Sequence, residues 1–234
     1  MCSSDLKMEK AEEKFLAMKK IYTTLVMVTG SAMAYFTDSE QAKNHITIGK
    51  VDISLTEPNW DKVPDKEKEN IVPGKELVKD PTITNTGIND AFVFMKVTVP
   101  AAELVTANED GTKNEKALKQ LYSWEINKGW IQLGDAKAVT ENGKTTAFEY
   151  IYAYGSNASC SALAKNVSTS ALFDKITFLN VIEGQQFADG TGLEESETEI
   201  NVQAYAIQTT DLTSNDVTTP SAVWRVLANQ NQLS

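Results

Sequence analysis

The residues that most often carry enzyme chemistry are scarce in this chain. Among 234 residues there is one histidine, His45, and there are two cysteines, Cys2 and Cys160. A serine hydrolase needs a histidine beside its nucleophile, and a His-Glu-x-x-His zinc peptidase needs two histidines one helical turn apart. His45 lies in a polar stretch ahead of a strand pattern, and Cys160 has no histidine at a plausible position. The sequence therefore predicts no catalytic residue, no metal site and no cofactor.

Two acidic loops could supply oxygen ligands to calcium. They read NEDGTKNE over residues 108–115 and DGTGLEESETE over residues 189–199. Neither has the ligand spacing of an EF-hand loop. Solvated loops are the simpler interpretation, and a weak calcium site is the alternative.

The aromatic residues allow two interpretations. Four tryptophans, together with the tyrosines of FEYIYAYG (residues 148–155), could form a flat platform for carbohydrate. β-Sandwich cores also bury such residues routinely, because each aromatic ring removes a large apolar area from water. Core packing is the favoured interpretation, and a carbohydrate-binding module is an alternative. The tryptophans are Trp60, Trp124, Trp130 and Trp224.

The charge balance excludes one class of partner. The formal net charge is −10, from 22 basic and 32 acidic side chains. Binding to phosphate backbones needs clustered Lys and Arg, so nucleic acid is not an expected partner. Docking on anionic lipid is disfavoured for the same reason.

Strand patterns separated by loops make up most of the chain. The segment ITIGKVDISL (residues 46–55) alternates with a shift at Gly49-Lys50 that suggests a bulge. A Pro73-Gly74 turn precedes a strand over residues 76–84, and a central strand over residues 90–100 is expected to end at Pro100. A polar insertion follows, with one helical turn near residues 116–121.

The second half continues the same pattern. YSWEIN and GWIQL, joined by Lys128-Gly129, read as a tight hairpin, followed by strands at TTAFEYIYAYG, at residues 175–182 and at ETEINVQAYAIQTTDL (residues 197–212). In the last of these Ile200, Val202, Ala204 and Ala206 are expected to face one way. Pro220 marks the start of a helix. This composition predicts an all-β fold, an antiparallel jelly-roll-like β-sandwich with short helices in loops and near the C-terminus.

The N-terminal segment predicts export. Lys19 and Lys20 precede an uncharged apolar run, and Ala32-Met33-Ala34 has the small-x-small pattern of a signal-peptidase site. The run is shorter than the ~20 residues of a membrane span. We therefore expect residues 1–34 to comprise an upstream tail and a secretory signal peptide, cut before Tyr35. Residues 35–234 then form a single β-sandwich domain, which is secreted and meets the membrane only through the uncleaved signal.

Cleavage after Ala34 would leave Cys160 without an internal partner. A free thiol in a well-packed core is the simpler expectation, and an intermolecular bridge through Cys160 is the alternative.

Several segments together resemble the TasA/camelysin family of Gram-positive bacteria. They are AMAYFTDSEQAKNHITIGKVDISLTEPNWD at the export junction, VPGKELVKDPTITNTGINDAFVFMKVTVP, ALFDKITFLNVIEGQ and VQAYAIQTTDL. The resemblance covers most of residues 18–228. It implies a signal peptide cut by a SipW-type peptidase and a jelly-roll sandwich that assembles into extracellular matrix fibres.

The resemblance also implies a mode of assembly. The segment after the cleavage site can leave its own subunit and complete a neighbour's sheet, which makes Tyr35, Phe36, His45, Ile46 and Ile48 candidate donor-strand residues. Pairing of this strand within its own sheet is the alternative. The expected partners are further copies of the chain, other matrix components, and the signal peptidase during export. Camelysin itself is described as a metallo-endopeptidase, so a secreted protease is the alternative function, although no metal-binding triad can be matched to this sequence.

Overall fold

The computed structural model describes residues 37–40 by their backbone, and residues 51–69, 71–194, 196–212 and 217–231 in full. All of these belong to one unit, Tyr35–Ser234. They form twelve strands, two α-helices and one 3-10 turn at Trp60–Lys62. The strands are β1 (Thr37–Glu40), β2 (Ile53–Thr56), β3 (Glu76–Val78), β4 (Thr82–Asn85), β5 (Ala91–Leu104), β6 (Ala117–Gln120), β7 (Tyr122–Ser123), β8 (Trp130–Gln132), β9 (Lys137–Glu141), β10 (Lys144–Tyr154), β11 (Lys175–Phe178) and β12 (Asn201–Gln208). The helices are α1 (Asp65–Lys68) and α2 (Pro220–Gln230).

The described strands form three antiparallel sheets. The largest has seven strands in the order β1-β12-β5-β10-β8, with β6 beside β5 and β9 beside β10. The others are a three-stranded sheet, β3-β11-β7, and a two-stranded sheet, β2-β4. Side chains from all three sheets share one buried apolar cluster, so the two small sheets form the second layer of a sandwich. The predicted all-β, jelly-roll-like fold is confirmed.

β5 is the central strand, and its alternation explains the core. Val93, Met95 and Val97 belong to the cluster between the two layers. Phe92 and Phe94 point to the opposite face and belong to a second cluster. Because successive side chains of a strand point to opposite faces, this one segment supplies apolar groups to both sides of the large sheet.

Helix α2 covers part of the outer face of the large sheet. Val223 and Leu227, one turn apart, are fully buried in the second cluster. The Trp224 ring lies 5.4 Å from the Phe94 ring and 5.7 Å from the Tyr205 ring. Pro220 occupies the first turn, where its missing N–H has no intrahelical partner to lose. The predicted C-terminal helix is confirmed.

The long strands agree with their patterns, although the strand predicted over residues 197–212 is shorter and spans Asn201–Gln208. β10 pairs with β5 over Ala147–Ala153, and β12 pairs with β5 over Asn201–Gln208. Ile200, Val202, Ala204 and Ala206 all pack in the cluster between the layers, as their alternation predicted. The predicted Pro73-Gly74 turn is also present, with Gly74 at φ +77°. The predicted bulge at Gly49-Lys50 lies outside the described residues.

The strand predicted over residues 76–84 is wrong as a single element. It breaks at Lys79, Asp80 and Pro81 into β3 and β4, which lie in different sheets. Pro81 cannot donate a ladder hydrogen bond, and the Asp80 carboxylate binds backbone N–H groups of another loop. These local interactions end one strand before the next begins.

The predicted end of the central strand at Pro100 is also wrong, because β5 continues to Leu104. At Pro100 the strand changes partner: residues before it pair with β10, and Ala101–Leu104 pair with β6. The Pro100 carbonyl accepts a hydrogen bond from the Leu121 N–H at 2.8 Å. The residues predicted as a helical turn near 116–121 therefore form β6, because the ladder supplies hydrogen bonds that a single isolated turn lacks.

The predicted hairpin at Lys128-Gly129 is wrong, since β7 pairs with β11 and β8 pairs with β10. A hairpin that the sequence analysis missed connects β9 and β10. Its turn is Asn142-Gly143, with φ of +50° and +77°, the positive values that a type I′ turn requires. The predicted strand over residues 175–182 is present but ends at Phe178.

Candidate assembly edge and groove

The predicted donor segment is represented in the structure by β1. Thr37 pairs with Ile207 and Glu40 pairs with Ala204, in an antiparallel ladder of four residue pairs. The other candidate residues lie outside the described residues: Ala32 and Ala34 of the cleavage site, Tyr35, Phe36, His45, Ile46 and Ile48.

β1 lies at one end of the seven-stranded sheet. β12 is its ladder partner, and β12 is paired on its other side with β5 over its whole length. Ala204, Tyr205, Ala206 and Ile207, the residues facing β1, are at most 2% exposed. Removing β1 would leave a buried strand with unpaired N–H and C=O groups along one edge, which is a template for another strand.

A groove begins where the ladder between β1 and β12 ends. It is formed by two adjoining cavities of about 780 and 820 Å³ that share Lys68, Ile71, Tyr122 and Thr198. The Tyr122 and Thr198 hydroxyls are 2.7 Å apart at this junction. We call these two cavities together the groove. Apolar side chains make up much of its lining: Leu55, Trp60, Ile71, Val72, Leu77, Ile176, Phe178, Val181, Leu193, Ile200 and Val202.

One wall of the groove is a loop fastened by Asp80. This carboxylate is 5% exposed and accepts hydrogen bonds from the backbone N–H groups of Asn59 and Trp60 at 3.0–3.1 Å. The two donors begin the 3-10 turn, whose first N–H groups have no partner within the turn. The contact therefore joins the loop to the segment between β3 and β4.

A buried ion pair supports the same wall. The Lys79 Nζ lies 2.8 and 2.9 Å from the two Glu57 carboxylate oxygens. The side chains are 9% and 18% exposed. Lys79 Nζ is also 4.8 Å from the centre of the Trp60 ring, and Lys68 Nζ is 4.6 Å from it, within the range of cation–π attraction.

The groove is bordered by negative charge. Seven carboxylates and two lysines are among its described lining residues, an excess of five negative charges. The lysines are Lys68 and Lys79, and the second is already neutralised by Glu57. The remaining carboxylates belong to Asp61, Glu69, Glu183, Glu194, Glu197 and Glu199. An apolar floor with an acidic border suits an extended segment that is apolar and basic.

The four tryptophans are absent from the exposed large hydrophobic side chains of the described residues. Trp130 is 3% exposed and donates to the Ser170 carbonyl, and Trp124 donates to the Tyr152 hydroxyl. Trp60 supports the groove wall, and Trp224 lies against the large sheet. These positions favour core packing over a carbohydrate platform.

The two acidic loops are closed by their own threonines. Asp110 accepts hydrogen bonds from the backbone N–H and hydroxyl of Thr112, and these bonds lower the pKa of the Asp110 carboxyl. Asp189 accepts one from the Thr191 N–H, with the same effect on its pKa. Hydrogen bonds from an Asp side chain to the residue two positions later are typical of ordinary Asx turns.

Comparison with known proteins identifies the family. The model of the camelysin metallo-endopeptidase family matches residues 14–191. The chain belongs to the TasA/camelysin family. No curated protein and no solved structure matches it. In the described part of the chain, no helix is long and apolar enough to span a membrane.

The family description, a metallo-endopeptidase, implies a catalytic metal ion. The described residues do not provide a set of side chains that could bind one. Among residues 37–40, 51–69, 71–194, 196–212 and 217–231, no three His, Cys, Asp or Glu side chains come together in a way that could hold a metal ion. The single histidine, His45, lies outside them. Cys160 is 7% exposed in the cluster beneath α2, and burial raises the pKa of its thiol to about 12, which disfavours the thiolate that metals bind.

The burial of Cys160 gives a testable result. In the chain starting at Tyr35, where Cys160 is the one cysteine, we expect Ellman's reagent at pH 8 to react slowly with the folded protein and completely after unfolding in urea. Because the thiol pKa is raised in the folded state, the folded form stays neutral while the unfolded form ionises, so stability should fall as the pH rises above about 9. Rapid native labelling would contradict the buried position, and a reduction-sensitive dimer of the folded chain would revive the intermolecular bridge.

Proposed function

We propose that this chain is a secreted structural protein of the bacterial cell surface or biofilm matrix, which forms fibres by donating its N-terminal strand. The observation that supports this is the position of β1. It is an edge strand of four residues, it begins three residues after the expected cleavage site at Ala34, and it covers the buried strand β12.

The physical basis is strand addition to an open edge. A donated strand satisfies the backbone groups of β12 just as β1 does, so exchange between copies replaces one ladder with an equivalent one. Each copy both gives a strand and receives one at a different surface. Such a head-to-tail contact does not close on itself, and it therefore produces filaments.

Removal of the signal peptide would act as the trigger. While residues 1–34 are attached, the donor segment is joined to the signal peptide at one end and to its own domain at the other. It therefore stays with its own chain. Cutting after Ala34 would free the end at Tyr35 for exchange. In this proposal the signal peptidase is a transient partner, other matrix components are further partners, and the location is extracellular.

Electron microscopy tests the proposal directly. We expect residues 35–234 to form filaments and a version lacking residues 35–48 to form none, because the edge of β12 then has no donor. Since the deletion could unfold the chain, Asp38→Pro provides a milder test: Asp38 is the hydrogen-bonded partner of Ala206 in the ladder, so proline there removes one ladder N–H from β1 and should reduce filaments while circular dichroism stays native.

A synthetic peptide of residues 35–48 supplies the control. It should compete with filament growth of the intact chain, whereas a scrambled peptide of the same composition should not. Equal filament formation by the intact and shortened chains would refute the proposal.

The family description supports a second function, a secreted metallo-endopeptidase. Casein cleavage that is abolished by chelator, and that remains in a homogeneous preparation of residues 35–234, would favour the enzyme. Absence of cleavage together with filaments would favour the structural protein.

A further inference from the structure

The groove and the segment between β1 and β2 have opposite charges. Residues 41–50 read QAKNHITIGK, with Lys43, His45 and Lys50 and no acidic side chain, in a chain whose net charge is −10. The groove border carries five more negative charges than positive ones among its described lining residues. Ile46 and Ile48 alternate with polar residues, which matches an apolar floor below a charged border.

The ladder register leads from β1 into the groove. Thr37 faces Ile207 and Glu40 faces Ala204. A donated strand that continued in the same register would place Lys43 opposite Asn201 and His45 opposite Glu199. Asn201 and Glu199 both line the groove, and Glu197 lines its adjoining half. Diagonal cross-strand neighbours are within reach of long side chains, so Lys43 would also reach Glu199.

We infer that the acidic border of the groove recognises residues 41–50 of a second copy, and that this charge attraction selects and steers the donated strand. The inference rests on the proposed function and adds its recognition element. The occupant is residues 41–50 because no other stretch of residues 35–234 combines two lysines with alternating isoleucines and no acid. It comes from a second copy because, in the proposed function, each copy receives its neighbour's strand.

The charge attraction acts mainly on the rate of addition. Glu197 and Glu199 are exposed, so their pairs with lysine are screened by water and salt and add little to the stability of a finished contact. Complementary charge at exposed sites accelerates encounter instead, and the effect fades as ionic strength rises. The difference in growth rate between the unsubstituted chain and a variant with a reversed charge in the contact should therefore be largest at low salt and shrink as salt rises.

Reversing the charge of the donor segment in one variant and of the groove in another tests the inference. In the chain starting at Tyr35, we expect Lys43→Glu with Lys50→Glu to slow filament growth at low salt by about tenfold or more. Glu197→Lys with Glu199→Lys should slow it similarly. A mixture of the two variants should grow at close to the unsubstituted rate, because each donor then meets an acceptor of opposite charge. Light scattering measures the growth rates, and thermal melting checks that both variants are folded.

A matched control uses two acids away from the groove. Glu109→Lys with Glu115→Lys changes the net charge as much as the groove variant does, on an exposed loop that does not line the groove, and should grow at the unsubstituted rate. Slowing by this control as much as by the groove variant would overturn the inference.

The remaining outcomes separate the two proposals. If the unsubstituted chain forms filaments but the mixture of the lysine variant and the glutamate variant grows slowly, the charge contact does not join two copies. The inference is then wrong, while the fibre proposal stands. If charge variants grow normally, the inference is also wrong. If the unsubstituted chain forms no filaments, the proposed function fails first.

Discussion

Replacing Gly155 by alanine should destabilise the folded chain by roughly 3 kcal/mol or more. Gly155 has φ +148°, and a Cβ there would lie 2.4 Å from the Ser159 carbonyl oxygen and 2.8 Å from the Cys160 Cα. Both are backbone atoms, which a rotamer change cannot move aside. The site ties the end of β10 to its neighbours, since the Gly155 N–H donates to the Gly129 carbonyl at 2.8 Å. Urea unfolding followed by tryptophan fluorescence measures the loss.

Gly143 is the matched control for this prediction. It has φ +77° in the β9–β10 turn, and no atom lies within 4 Å of the position of a new Cβ. Gly143→Ala should therefore cost only the conformational penalty of a left-handed residue, about 1–2 kcal/mol. Equal losses for the two variants would mean that the close approach at Gly155 carries no additional energy.

Replacing Lys79 by methionine should cost about 3 kcal/mol, because it leaves the Glu57 carboxylate buried without its partner. Both side chains are largely covered, at 9% and 18% exposure. The substitution also removes one of the two cations above Trp60, so the groove wall should loosen. The free energy of unfolding in urea and the emission wavelength of the tryptophans report the two effects.

A double-mutant cycle isolates the pair. Lys79→Met combined with Glu57→Gln should be less destabilised than Lys79→Met alone, because no unpaired charge remains. The exposed pair Lys175–Glu76, with side chains 58% and 56% exposed, provides a control. Lys175→Met should change stability little, because an exposed pair is solvated in either state. If the double variant were no more stable than Lys79→Met alone, the two charges would not be coupled.

These predictions also bear on assembly. Lys79 and Glu57 support the wall that carries Trp60, so a loosened wall should slow filament growth even where the N-terminal strand is intact. Gly155 lies at the far end of β10 and does not line the groove. Its substitution should lower stability without a specific effect on growth below the melting temperature.

Local pattern was sufficient for the long strands. The alternation in β12 predicted which residues face the core, and the dense β-branched and aromatic run in β5 predicted a central strand. The helix beginning at Pro220 was predicted by its spacing and by proline at its first turn. In these segments many consecutive residues carry the same signal, so the period can be read without knowing the neighbours.

Short segments were decided by their partners. β6 has the composition of a polar loop and is a strand because Ala101–Leu104 lies beside it. β7 and β8 look like the two arms of a hairpin, but each pairs with a strand distant in sequence. The Asn142-Gly143 turn is an exception among the short segments, because Asn-Gly by itself favours the two positive φ values of a type I′ turn.

The sequence by itself determined the all-β class and the scarcity of histidine and cysteine, and it predicted a cleavage junction at Ala34, because these depend on composition and on short contiguous patterns. The groove was decided only by the tertiary structure. Glu57 meets Lys79 across 22 positions and Tyr122 meets Thr198 across 76. Such contacts arise from the order in which strands pair, and no local periodicity encodes that order.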